Sequence, residues 1–285
     1  MNFLLKIKNE IKKEYVSYLR IKYENKIKRV KVGIEISSKK PEILISLTSY
    51  PERFSYLYIT LCSLLLQTKK PDKIILYLVK DEVGSKGVPD YILKLKDKGL
   101  DVYFTDKNLR SYNKLIFALK DFPDSIIVTC DDDIIYPPNF LENLIISYRK
   151  YPDTVIGYRC HYIIKQNSLL LPYNKWNKCK INYPHFNVFP TGVGGVLYPP
   201  NILHKEVFNE KIFKSICPLA DDIWFKAMSL LNKKKSVMAL KKWKEFPVIP
   251  ASQDKALYKI NNEAGFNDVQ LKAVFDHYDL YDYLE

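Results

Sequence analysis

Between residues 43 and 130 the chain alternates short, uninterrupted apolar runs with stretches of helical spacing, and this limits the possible folds more than any other feature. Residues 43–47 (ILISL), 73–79 (KIILYLV), 101–104 and 125–130 (SIIVTC) read as strands. Residues 54–67, 91–98 and 112–119 read as helices. A strand apolar on both faces has to be covered on both faces, and a helix between two such strands is the crossover that makes them parallel. The expected fold class is α/β, with a mostly parallel central sheet flanked by helices. Beyond Asp133 the sequence becomes rich in Tyr, Pro and Asn up to a glycine cluster at 192–195, which predicts long loops shaping a binding surface. A helix is expected at 222–231, followed by short apolar segments at 237–240 and 246–250.

The charge is divided unevenly. Of a formal +13, residues 1–40 carry +8, from 12 basic and 4 acidic side chains, and the rest of the chain only +5. Over residues 3–30, Leu4, Ile7, Ile11, Tyr15, Tyr18, Leu19 and Tyr23 recur at helical spacing among lysines. Residues 1–40 therefore read as a basic amphipathic helical arm closed by Pro41, and residues 41–285 as one domain with halves 41–135 and 136–285. Such an arm either packs on the body or lies on an anionic membrane surface. A nucleic-acid partner is not expected, because the basic excess is not spread over a folded face. The five cysteines, without a CxxC pair, do not form a disulfide framework. No run approaches the eighteen apolar residues of a spanning helix, and the start lacks a signal-peptide core, so the expected location is cytoplasmic, peripheral at most on the inner face of the cytoplasmic membrane.

The chemistry concentrates on Asp131-Asp132-Asp133, directly after the apolar run ending at Cys130. Ligands of open α/β sheets bind at the carboxyl ends of strands, and adjacent carboxylates there repel one another unless a cation neutralises them. Asp131 and Asp133, at alternate positions, can converge as hard oxygen ligands for Mn²⁺ or Mg²⁺; the plain alternative is a solvated acidic turn. Asp221-Asp222 open a helix, where acidic residues are also favoured simply by the helix dipole. Cys160, His161, Cys179 and His185 match no zinc-finger spacing, and neither a GxSxG nor a P-loop pattern occurs.

The opening ILISLTSYPERF, the KLIFAL helix and DDDIIYP at the end of the fourth strand together resemble the GT-A superfamily of glycosyltransferases, particularly bacterial family 2-like enzymes. The resemblance spans roughly Pro41 to Asp222 and is carried later in the chain by GVGG and ADDIWF. It implies a GT-A type domain holding a nucleotide-diphosphate sugar in residues 41–135 and an acceptor in residues 136–285. Thr48, Tyr50, Arg53 and Lys114 would then bind the donor with Asp131, Asp132 and Asp133, although Arg53 and Lys114 could equally be surface cations. Gly192, Gly194 and Gly195 would line the acceptor, or merely form a turn. Asp222 would be the catalytic base of an inverting transfer, with Asp221 beside it on acceptor hydroxyls. The family also implies a UDP-sugar as the favoured donor and a surface glycan, such as lipopolysaccharide or capsule, as acceptor; some members add a C-terminal histidine to the metal, which would be His277. The alternatives are a retaining exostosin-like transferase, a nucleotidyltransferase or metal-dependent phosphohydrolase, and a non-enzymatic basic adaptor.

Overall fold

The computed structural model describes residues 3–166, 169–242, 244–249 and 265–285, with side chains in the first helix described at positions 10, 11 and from 13 onward. Helix α1 (Phe3–Arg29) leads into β1 (Ile43–Thr48), α2 (Phe54–Leu65), β2 (Lys73–Val79), the short helices α3 (Lys80–Val83) and α4 (Asp90–Leu93), β3 (Leu100–Thr105), α5 (Asn113–Asp121) and β4 (Ile126–Thr129). These four strands are parallel and lie in the order β4-β1-β2-β3, as the apolar runs require. Leu44, Ile45, Leu47, Ile74 and Leu76 have no exposed surface, since helices cover both faces of the sheet. Each such side chain contributes roughly 1.5–3 kcal/mol relative to exposure.

The second half is more regular than its composition suggests. After Asp133 come α6 (Phe140–Lys150) and β5 (Thr154–Gly157), where loops were expected. Phe140, Leu141, Leu144 and Ile145 form a buried helical stripe, but one masked in the sequence by the flanking Pro137, Pro138 and Pro152. Small strands β6 (Cys160–Tyr162), β7 (Lys165–Gln166), β8 (Leu169–Leu170), β9 (Asn177–Lys178) and β10 (Val188–Pro190) build a flap, and β11 (Val196–Tyr198) returns to the main sheet. Helices α7 (Glu210–Ile216) and α8 (Asp221–Leu231), strand β12 (Lys235–Met238) and helix α9 (Phe266–Tyr278) complete the chain. The main sheet has seven strands in the order β12-β5-β11-β4-β1-β2-β3, all parallel to their neighbours except β11. This is the mixed, mostly parallel α/β sheet of a GT-A fold.

Helix α1 divides along its length. Leu19, Tyr23 and Ile27 are buried against the body, and the Tyr23 hydroxyl donates to the Tyr136 carbonyl at 3.2 Å. Ile11, Tyr15, Tyr18 and Ile21 are exposed. The expected contributions of Leu4, Ile7 and Pro250 lie outside the described side chains. Among the described residues no helix is long and apolar enough to cross a membrane.

Candidate active site

The sheet order itself locates the site. From β1 the chain moves to β2 and β3 on one side and then to β4 on the other, so β1 and β4 flank the switch point where their carboxyl ends open a crevice. The register pairs Ser46 with Thr129, and three residues further on this offset sets Ser49 beside Asp132. The Ser49 hydroxyl donates to Asp132 Oδ2 at 2.6 Å. A cavity of about 1010 Å³ opens over these strand ends.

The first acidic cluster is matched by cations. Arg53, at the start of α2, donates to Asp132 at 2.5 Å and to Asp133 at 3.3 Å, and its Nε donates to the Tyr50 hydroxyl at 3.1 Å. Burial works against the Arg53 charge, but Asp132 and Asp133 outweigh it and hold the guanidinium more firmly protonated than usual. Burial lifts the Asp132 carboxyl above its ordinary range, against the pull of Arg53 and Ser49. Lys114, on α5, donates to Asp131 Oδ1 at 2.9 Å and lies 3.3 Å from Asp221. It is buried, and the surrounding Asp131, Asp221 and Asp222 keep it charged against that burial. Thr48 spends its hydroxyl on the Tyr77 carbonyl at 2.9 Å while still lining the cavity.

The second cluster is treated differently. Asp221 and Asp222 stand in the first turn of α8, and Asp222 Oδ1 accepts the Gly192 backbone N–H at 2.8 Å. Burial, then Asp221, push the Asp222 carboxyl well above the ordinary carboxylate range, with Lys114 and the Gly192 N–H acting the other way. A Cβ on Gly192 would sit 3.0 Å from Lys114 Nζ and 3.1 Å from Asp222 Oδ1, so glycine permits this close approach. Gly194 and Gly195 do not reach the cavity. They take φ of +94° and +89°, and Gly195 packs so tightly that a Cβ would meet the Phe140 ring at 2.6 Å. They turn the chain into β11, which leaves Gly192 as the glycine of the cluster on the cavity wall, beside Val193.

The structure thus gathers Thr48, Tyr50, Arg53, Lys114, Asp131, Asp132, Asp133, Gly192, Asp221 and Asp222 around one cavity. His277 is exposed on α9 against Tyr278 and does not line it. Cys160 and Cys179 are buried in a small apolar cluster of their own. Residues without a sequence signal complete the far wall: Arg110, Arg159, His161, Tyr173 and Trp176. Burial, then Arg159, lower the His161 pKa to about 4, so that ring is neutral near pH 7. Only the Tyr-, Pro- and Asn-rich composition beyond Asp133 hinted at such a wall, and its placement depends on α9, where Asp268 accepts the Tyr173 N–H at 2.6 Å.

Among the described residues no group of three His, Cys, Asp or Glu side chains is arranged to hold a metal ion by itself. The cavity wall nonetheless carries six acidic side chains against four basic ones, Arg53, Arg110, Lys114 and Arg159. By formal charge such a wall does not by itself favour a polyanion, and a cation entering with it would offset the acidic excess. Two carboxylates and no complete cage suit Mg²⁺ or Mn²⁺, hard ions that usually keep positions for water and substrate phosphates.

The mixed sheet and the cavity over its strand ends are those of a GT-A type domain. The chain belongs to glycosyl transferase family 2, whose sequence profile matches residues 45–213. No curated protein matches the chain in sequence. Among solved structures, S. aureus TarS 1–349 aligns at 14% identity and TM-score 0.48, covering 72% of this chain and 59% of that one. The mannosyltransferase PcManGT from Pyrobaculum calidifontis, in complex with GDP-Man and Mn²⁺, aligns at 17% identity and TM-score 0.34, covering 52% and 44%. Glucosyl-3-phosphoglycerate synthase from Mycobacterium tuberculosis, in complex with Mn²⁺, UDP and glucosyl-3-phosphoglycerate, aligns at 17% identity and TM-score 0.32, covering 41% and 43%. The chain therefore spans less than two thirds of the length of each.

Proposed function

We propose that this glycosyltransferase is metal-dependent and inverting, moving a sugar from a nucleotide-diphosphate donor, a UDP-sugar by preference, to a hydroxyl of a cell-surface glycan. The observation that carries the reading is the position of Asp222, half-buried on the wall of the same cavity as Asp131 and Asp133 and lifted toward the proton affinity a general base needs. Asp222 takes the acceptor proton, and the Gly192 N–H fixes which of its oxygens faces the backbone. Asp221 sits beside it, toward acceptor hydroxyls. Tyr50, Thr48 and Arg53 hold the nucleotide end, and Lys114 places an ammonium between the two acidic clusters, beside the departing diphosphate. Asp131 and Asp133 are the residues that would hold Mn²⁺ or Mg²⁺, which when bound supplies a Lewis acid for the diphosphate leaving group.

Residues 1–40 form an arm on the transferase domain of residues 41–285, and its exposed Ile11, Tyr15, Tyr18 and Ile21 among lysines suit an anionic membrane surface. Because Leu19, Tyr23 and Ile27 belong to the core, the arm is tested by substitution rather than deletion. Tyr15→Glu with Tyr18→Glu should release the protein from anionic vesicles; unchanged co-sedimentation would dismiss the membrane role.

The chemistry is tested by incubating the enzyme with UDP-sugars, Mn²⁺ and a panel of glycan acceptors. Intact UDP should appear only when acceptor is present, with the product of inverted anomeric configuration by NMR. Release of pyrophosphate or inorganic phosphate would point to the nucleotidyltransferase or phosphohydrolase chemistry instead, and a retained configuration would remove the role of Asp222.

A further inference from the structure

Beside the main cavity lies a second one of about 470 Å³, and the two share Asn108, Arg110 and Leu219 in their walls. Their walls contrast in charge. Acidic side chains predominate in the main cavity, whereas the side cavity has Arg110 and Lys214 and no acidic residue among its described lining. The rest of that lining is mainly apolar: Tyr112, Phe213, Leu219 and Phe266, the last 40% exposed.

Arg110 stands at the junction in an unusual backbone conformation. Its φ is +57°, a left-handed value that a side chain bearing a Cβ rarely adopts. Two side-chain bonds hold the loop in that shape: Arg110 N–H donates to Asn108 Oδ1 at 2.8 Å, and Leu109 N–H to Asn113 Oδ1 at 2.9 Å. Glycine or asparagine would occupy this position at lower cost. Arg53 and Lys114 are committed to aspartates, but the Arg110 guanidinium has no ion-pair or hydrogen-bond partner among the described residues. Among the described residues Lys214 makes a single long ionic contact, with Glu210 at 3.5 Å. An exposed arginine in a strained backbone conformation, without a side-chain partner among the described residues and placed where the two cavities adjoin, fits a ligand contact.

We propose that the side cavity binds the anionic, partly apolar portion of the acceptor, with a phosphate or carboxylate on Arg110. This rests on the transferase reading and adds to it the chemical class of the acceptor. Leu219 lies two residues before Asp221, and its N–H is fixed by Gln270 Oε1 at 2.8 Å, so an anion on Arg110 adjoins the loop that carries Asp222. A guanidinium recognises either oxyanion through paired N–H donors, and the apolar walls accept the adjoining group.

The test is calorimetric titration of the full chain with octyl phosphate, octyl glucoside and inorganic phosphate, each with and without UDP and Mn²⁺. Octyl phosphate should bind in both conditions, at least about tenfold more tightly than octyl glucoside, which lacks the charge, or inorganic phosphate, which lacks the apolar group. Arg110→Gly should weaken octyl phosphate by about tenfold or more while leaving UDP affinity within about twofold and Tm no lower, because glycine accepts the left-handed turn. Arg110→Lys should fall between. Octyl phosphate binding equally well to Arg110→Gly overturns the proposal, as does competition between octyl phosphate and UDP, or a parallel loss of UDP affinity, which would assign Arg110 to the donor. Failure of UDP and Mn²⁺ to bind at all would count against the transferase reading, while the octyl phosphate comparison would still decide the role of Arg110.

Discussion

Asp131, Asp132 and Asp133 face Arg53 or Lys114 directly, whereas Asp222 is held by a backbone N–H beside another carboxylate. Both clusters line one cavity, with Lys114 in contact with Asp131 on one side and Asp221 on the other. The difference lies in the partners. Arg53 and Lys114 pair with the first cluster, an arrangement that suits binding a cation and its attached phosphates, although burial still lifts the Asp132 carboxyl. Burial next to a like charge favours the protonated form, which suits a group that must accept a proton during reaction.

The strongest way to break this contrast is to remove the proton acceptor while keeping its shape. Asp222→Asn should slow transfer by roughly 10²–10⁴-fold and leave nucleotide binding intact, as measured by initial rates and by titration with UDP and Mn²⁺. A loss of nucleotide binding instead would place Asp222 with the first cluster. Replacing Asp131 or Asp133 by Ala should abolish the metal-dependent part of nucleotide binding and leave a weak metal-independent part, a difference read as the loss of an Mn²⁺-dependent rise in Tm.

Gly192 joins the two clusters, and a smaller effect is expected there. Gly192→Ala would press a methyl group against Lys114 and Asp222, so transfer should fall by about tenfold, from a displacement of a few tenths of an ångström near the reacting atoms. Unchanged kcat with intact folding would show that the Gly192 contact is incidental.

The smallest effect concerns pH. The folded pKa of Asp222 is raised above its unfolded value, so folding retains a proton that the unfolded chain releases. Its contribution to stability is greatest below the unfolded pKa and is lost as pH rises through the folded one. Asp222→Asn should therefore gain Tm relative to the parent between pH 5 and pH 8, by a few degrees at most, with no gain at the acid end. Transfer has the opposite dependence: the rate should fall as pH drops through the raised pKa, well above the ordinary carboxylate value of about 3.9. A rate independent of pH down to that value would contradict the assignment of Asp222 as base.

The cavity wall at the ends of β1 and β4 was readable because strands buried on both faces leave few alternatives. Once β1 and β4 are parallel neighbours, the register that pairs Ser46 with Thr129 carries Ser49 to Asp132, and Arg53, one turn on, follows. The wall built by the second half of the chain depends on contacts distant in sequence. Tyr173 is placed by Asp268 and Leu219 by Gln270, both on α9, and neither pairing leaves a periodic trace. Arg110 is hidden for another reason: an arginine gives no sequence signal of a left-handed backbone, although the asparagines at 108 and 113 that stabilise the turn are visible. Gly194 and Gly195 show the reverse case: their positive φ and the packing of Gly195 on Phe140 account for these glycines by the chain's own turn.

The central claim is that the first acidic cluster binds a metal–nucleotide pair rather than either component alone. Thermal denaturation with UDP, GDP and CDP, each with and without Mn²⁺, tests it most directly. At least one nucleoside diphosphate should raise Tm markedly only with Mn²⁺, and Asp131→Ala should abolish that rise while Asp222→Asn preserves it. No shift with any nucleotide under any metal condition, or an equal shift in Asp131→Ala, would contradict the account.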